Sequence, residues 1–211
     1  MMETATVALA MFFATIGPID IAAVFAALTS EVSTKQRYAM ALRGTLIAWV
    51  ILSVFFLIGE TLLKSFGISL AALRASGGIL LLLIAIDMVF ARSSGATSTT
   101  EDETLEAATR KDIAIFPLST PLIAGPGAIG STLLLAANTE GNYYLQLVVY
   151  ASLVVILLFT YICLITASQI QRVLGVTGMS VISRVFGVLL SALAVQFIFD
   201  GIQQSGLLSK L

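Results

Sequence analysis

The sequence predicts an all-α integral membrane protein, with six transmembrane helices built as two inverted three-helix repeats and helices 1 and 4 broken at Gly-Pro motifs. Three observations predict it. The 211-residue chain is 58% apolar and only 11% charged, whereas a soluble domain carries roughly 25% charged residues to keep its surface solvated. The apolar residues gather into six continuous runs, each near the ~20 residues that an α-helix needs to cross about 30 Å of hydrocarbon. A Gly-Pro pair in the first run, Gly17-Pro18, returns 108 positions later as Gly125-Pro126 in the fourth.

The runs follow in order as Thr4–Leu28, Tyr38–Leu63, Ile68–Phe90, Ile113–Ala137, Tyr144–Ala167 and Val176–Phe199. Each is continuously apolar rather than alternating, which argues for helices over barrel strands. A helix also satisfies its own amides, which lipid cannot do. The chain opens Met1-Met2-Glu3 without the basic segment of a secretory signal, so the first run is expected to stay in the membrane. Most connections are short. The exception, residues 92–112, holds the polar run Ser93–Thr100 and then Glu101, Asp102, Glu103 and Glu106. It carries too little apolar surface to fold alone and reads as a hydrophilic cytoplasmic linker. The expected organisation is therefore a first repeat at 1–91, the linker at 92–112 and a second repeat at 113–211.

Orientation is read from lysine and arginine, which concentrate on the cytoplasmic side. Lys35, Arg37, Arg43, Arg92, Arg110, Lys111, Arg172 and Arg184 fall on one side, against Lys64, Arg74 and Lys210 on the other. Both termini are accordingly expected outside.

The repeat extends beyond the Gly-Pro pairs. Lys64-Ser65-Phe66-Gly67 returns as Arg172-Val173-Leu174-Gly175, again 108 positions on, and Arg74-Ala75-Ser76-Gly77 resembles Arg184-Val185-Phe186-Gly187 at 110. Three spans per half oblige the second half to enter the membrane the opposite way. Inverted repeats of this kind are a recurrent plan of secondary transporters, whose sites lie near the midplane where broken helices meet.

Phe116–Ile129 holds Pro117, Pro121 and Pro126 within ten residues, and each proline removes an N–H and crowds the carbonyl four residues back. Gly125 and Gly127 flank the last of them. The fourth span is expected to unwind around Gly125–Gly127 and restart toward Ala137. The first span carries the matching sequence Thr15-Ile16-Gly17-Pro18-Ile19-Asp20. A restarting helix offers free N–H groups and a positive dipole end, which favour an anionic group. Freed carbonyls and hydroxyls favour an ammonium or a cation. The candidate substrate-binding residues are therefore Thr15, Gly17, Pro18, Ile19, Ser119, Thr120, Pro121, Gly125, Pro126 and Gly127. Asp20 lies well inside the first span, where an ionised carboxylate is costly. It has two readings: a proton- or cation-coupling group, or a carboxylate held by the dipole of its own helix.

Other classes are narrowed by what the chain lacks. It has no histidine and a single cysteine, Cys163, so the commonest metal ligand and general base is missing and no disulfide framework is available. No metal, cofactor or enzymatic chemistry is expected. A net charge of −1 suggests no nucleic-acid partner. A channel or structural membrane protein is the alternative to a carrier. Homo-oligomer contact has candidate small-residue faces at Ala71/Ala75 and Gly187/Ser191.

The run Ile115-Phe116-Pro117-Leu118-Ser119-Thr120-Pro121-Leu122-Ile123-Ala124-Gly125-Pro126-Gly127-Ala128-Ile129 resembles the signature of the MarC family of multipass proteins of the prokaryotic inner membrane. The resemblance covers essentially the whole chain. It implies transport of small neutral amino acids of the glycine and alanine kind, coupled to protons or ions, with export in bacteria. At the first break the family usually places Asn or Asp before the proline and Gly soon after it. Here Gly17 precedes Pro18 and Asp20 follows.

Overall fold

The computed structural model describes residues 1–29, 32–90, 113–139 and 141–206; the 92–112 linker lies outside them. Every regular element among the described residues is helical. In chain order these are α1 (Met2–Ile16), α2 (Pro18–Leu28), α3 (Thr34–Ser65), α4 (Leu70–Phe90), a proline-rich segment (Ala114–Ile123), α5 (Pro126–Asn138), α6 (Tyr143–Ile165) and α7 (Ala167–Gln204). Among the described residues, five helices are long and apolar enough to cross a membrane, taking Met2–Ala26 as one span. The proline-rich segment and α5, bent by 54° at their junction, are long and apolar enough together to count as a sixth if the pair is taken as one span.

Local chemistry sets most boundaries. Ser33 caps α3: its hydroxyl accepts from the Gln36 N–H at 3.4 Å and donates to Gln36 Oε1 at 2.8 Å, a reciprocal arrangement that moves the helix start ahead of the apolar run. Gly67, at φ 66°, ends the turn after α3, where the Ile68 N–H reaches back to the Leu63 carbonyl at 2.9 Å, as expected of a left-handed cap. Asn142 caps α6 by accepting from the Leu145 N–H at 3.2 Å. The last helix begins earlier than its apolar run. It is interrupted at Gly175, whose φ of 59° with ψ of −178° is a conformation open essentially to glycine alone.

The core lies where α1, α2 and α5 meet the inner faces of the long helices. Phe12, Phe25, Met11, Leu134 and Leu153 are fully buried there. Outward faces are as apolar as the core: Leu57, Leu147 and Leu158 are all exposed, as helices in contact with lipid must be. Tyr143 and Tyr144, exposed at the start of α6, suit a membrane–water interface.

Helices in lipid gain little from burying apolar surface against one another, so close backbone approach at small residues carries much of their packing. The α4–α7 pair shows this most fully. A Cβ added to Gly78 would meet the Ala194 carbonyl oxygen at 2.7 Å, and one on Gly201 would meet the Ala75 amide nitrogen at 2.7 Å and the Ala71 carbonyl oxygen at 2.8 Å. Gly187 is pressed in the same way on Met88 and the Ala85 carbonyl. The small residues read from the sequence as candidate oligomer faces, Ala71, Ala75 and Gly187, thus seat α4 on α7 within one chain.

Candidate functional site

The fourth span departs from helix earlier than the sequence suggests. Phe116 (φ −132°, ψ 127°) and Thr120 (φ −138°, ψ 122°) are both extended, and each immediately precedes a proline, whose ring crowds helical backbone in the residue before it. Both following peptide bonds, Phe116-Pro117 and Thr120-Pro121, are cis. Between the kinks the chain is wound with five-residue hydrogen bonds, Leu118 N–H to the Ile113 carbonyl at 3.1 Å and Ala124 N–H to the Ser119 carbonyl at 2.8 Å. The irregular stretch therefore starts nine residues before Gly125, where the sequence placed the break. Gly44 lets α3 lie against it, since a Cβ there would meet Leu118 Cγ at 2.8 Å and the Ala114 carbonyl oxygen at 3.2 Å.

Regular helix resumes at Pro126 with Gly125 as N-cap and no side chain capping the start. Proline suits that first position because the N–H it lacks is unpaired in any helix start. The N–H groups of Gly127 and Ala128 belong to the same unbonded first turn. In the first span, Gly17 takes a left-handed conformation (φ 64°, ψ 56°) and donates its N–H to the Phe13 carbonyl at 2.9 Å. Helix α2 restarts at Pro18 with Asp20 in its first turn. The Asp20 carboxylate folds toward Gly17, with Oδ2 3.6 Å from where a Gly17 Cβ would stand. The dipole of α2 thus carries a negative charge of its own, whereas α5 has none in its first turn.

The first span at Thr15 lies against the start of α5. The Thr15 and Ser131 hydroxyls lie 3.0 Å apart, and the Thr15 Cβ is 3.8 Å from the position a Gly127 Cβ would take. Thr15 also bonds to the Met11 carbonyl at 2.8 Å, and Ser131 to the Ala128 carbonyl at 3.0 Å. Two hydroxyl protons therefore serve three hydrogen bonds. With both protons given to carbonyls, two hydroxyl oxygens face each other with lone pairs only. The pair can then accept a hydrogen bond from an added N–H.

The remaining sequence candidates spread along the two breaks. Pro18, Gly125 and Gly127 are buried, Gly17, Ile19 and Pro121 are half-buried, and Asp20, Thr120 and Pro126 are exposed. Ser119 is fully buried, but its hydroxyl turns to the Ile115 carbonyl of its own segment at 2.6 Å. Ser131 is the residue that sequence reasoning missed. Its signal was available, because it lies four residues after Gly127 and hence on the same face of the restarting helix. No group of three or more Cys, Asp or Glu among the described residues could hold a metal ion.

Replacing Ser131 by alanine is expected to lower stability by about 1 kcal/mol, the usual worth of one buried hydrogen bond. Thr15→Val should cost a similar amount, and the double variant less than the sum of the two. Thermal unfolding followed with a thiol-reactive dye checks this, since the single cysteine, Cys163, is buried until the fold opens.

Comparison with known proteins places the chain among integral membrane proteins. The sequence profile of MarC family integral membrane proteins matches residues 2–205. The chain belongs to the MarC family. Among its relatives is a UPF0056 membrane protein of Methanocaldococcus jannaschii, 37% identical over 93% of this chain and 94% of the relative. The UPF0056 membrane protein YhcE of Escherichia coli is 37% identical over 90% and 88%, and YvbG of Bacillus subtilis 33% over 90% of each. No solved structure matches the chain. This MarC family member is thus a multipass integral membrane protein with bacterial and archaeal relatives.

Proposed function

We propose that this MarC family protein is a secondary transporter of small neutral amino acids, glycine- or alanine-like, coupled to protons or a cation through Asp20 and working as an exporter. The observation that carries the reading is the Thr15–Ser131 hydroxyl pair set beside the uncapped start of α5. The free N–H groups of Gly127 and Ala128 suit the carboxylate of a zwitterion, and α5 suits it better than α2, whose dipole already faces Asp20. One turn further on, the hydroxyl pair can accept a hydrogen bond from an ammonium group. The close approach of Gly127 to Thr15 and Ile84 favours a small substrate over a large one.

The inverted repeat is part of the proposal, with its halves at 1–91 and 113–211. It is supported by the pattern of contacts. The first span packs on α6 as α5 packs on α3, and α2 meets α7 as α5 meets α4. The corresponding helices also pair directly, α3 with α6 and α4 with α7. Gly67 and Gly175, 108 positions apart, both have positive φ. The setting is the prokaryotic inner membrane with both termini outside, as the basic residues suggest. We assign the protein no enzymatic role.

Counterflow in proteoliposomes tests the reading. Labelled glycine, alanine, serine or threonine is expected to exchange saturably against unlabelled substrate inside the vesicle. Absence of exchange with all four, in protein shown to be folded, would refute amino acid transport.

A further inference from the structure

We infer that Thr45, on the first half of α3, is a further substrate-binding residue, its hydroxyl reserved for the polar head of the transported molecule. The proposal rests on the transport reading above and extends its site along the proline-rich segment.

The starting point is a contrast among buried hydroxyls. Thr15, Thr29, Ser119, Ser131, Thr132, Thr139, Ser152 and Thr160 are all buried, and each bonds to a backbone carbonyl three or four residues back. That is the ordinary way for serine and threonine to satisfy themselves in a helix away from water. Thr45 is also buried, at 8% exposure, in the middle of regular helix, and its Oγ1 has no hydrogen-bond partner. A hydroxyl left unpaired in a low-dielectric interior is costly, and the Ala41 carbonyl one turn back is the partner its neighbours' habit would supply.

Its direction follows from contacts on either side. Gly44 faces Leu118 and the Ala114 carbonyl, Gly59 faces Leu133 of α5, and Ser53 bonds to the Tyr150 hydroxyl of α6 at 3.0 Å. At about 100° per residue, Thr45 points between the Gly44 and Ser53 directions. Ala48 and Leu52, both fully buried, occupy the same arc. The hydroxyl is therefore aimed into the bundle, between the proline-rich segment and α6, at the level where Phe116 leaves helical geometry. It can donate to a carboxylate or accept from an ammonium.

Thr45→Val, which keeps the shape and removes the hydroxyl, and Thr45→Ser, which keeps the hydroxyl, test this in the full-length protein. Thermal unfolding is read at Cys163 with and without millimolar alanine, and alanine counterflow is measured in proteoliposomes. Without alanine, Thr45→Val should unfold at the wild-type temperature or above it, since it removes an unpaired group. Its KM for alanine should rise roughly tenfold or more, the usual cost of one hydrogen bond to a charged group, with the alanine-dependent thermal shift lost. Thr45→Ser should stay near wild type in both. A lowered unfolding temperature in Thr45→Val without alanine would mean that the hydroxyl serves the fold, and an unchanged KM would mean that it does not touch substrate; either overturns the inference. If the wild type itself exchanges none of glycine, alanine, serine and threonine, the transport reading falls first, and this assignment falls with it.

Discussion

Leucine at Gly201 is expected to destabilise the protein by about 3 kcal/mol, the upper part of the range for forcing extra atoms into a packed contact. The reason is what the new side chain would strike. Its Cβ would stand 2.7 Å from the Ala75 nitrogen, 2.8 Å from the Ala71 carbonyl oxygen and 3.1 Å from the Ala75 Cα, all backbone atoms of α4. No rotamer change can clear them, so α4 and α7 must separate. Gly127 offers the opposite case, because the atom at 2.6 Å from its Cβ position is the flexible tip of Ile84. Gly130 is the control: nothing lies within 4 Å of a Cβ there, and alanine should leave stability unchanged or raise it by up to about 1 kcal/mol through helix propensity. Unfolding temperatures read at Cys163 check all three. A Gly201→Leu protein as stable as wild type would show that the α4–α7 contact is not held by backbone approach.

Asp20→Asn is expected to abolish proton-driven accumulation of substrate while leaving counterflow near wild type. Exchange of substrate for substrate needs the binding site but no net movement of the coupling ion. Asparagine keeps the size and polarity of the side chain and removes its charge. It can still accept hydrogen bonds at the start of α2, where Asp and Asn side chains serve almost equally as acceptors. Fold and substrate site should therefore survive, and only the step that depends on the charge is lost. Paired measurements in the same vesicles, with and without an imposed proton gradient, separate the outcomes. Loss of both activities would assign Asp20 to the substrate site or the fold, and retention of both would leave it as a carboxylate held by its own helix dipole.

What could be read from the chain depended on the range of the physics involved. Residence in a membrane, the helical class and the approximate spans follow from composition and from continuous runs of apolar residues, because lipid places the same demand on every residue it touches. Irregular backbone around Pro117, Pro121 and Pro126 was legible for a local reason: proline and glycine act on their own neighbours. The extent of the fourth-span break was less so. Gly125-Pro126 is the most conspicuous interruption in the sequence, yet Pro117 and Pro121 each push the preceding residue, Phe116 or Thr120, out of helix.

Pairing between distant residues is another matter. Nothing in the order of residues states that Thr15 meets Ser131, that Gly201 rests on Ala71 and Ala75, or that Ser53 bonds to Tyr150. Small and hydroxyl residues are common in membrane helices, and each can face a neighbour in the same chain, another copy or a ligand. Ala71, Ala75 and Gly187 looked equally suited to an oligomer contact until the fold placed them between α4 and α7. The same holds for buried hydroxyls. Sequence shows that Thr45 and Thr160 both lie in apolar runs, but only the packed helices distinguish the one that bonds to its own backbone from the one that does not. By itself the sequence determined the environment and the helical class, since these depend on short-range chemistry. Tertiary structure alone decided which breaks and hydroxyls come together, because that depends on how close one backbone can come to another.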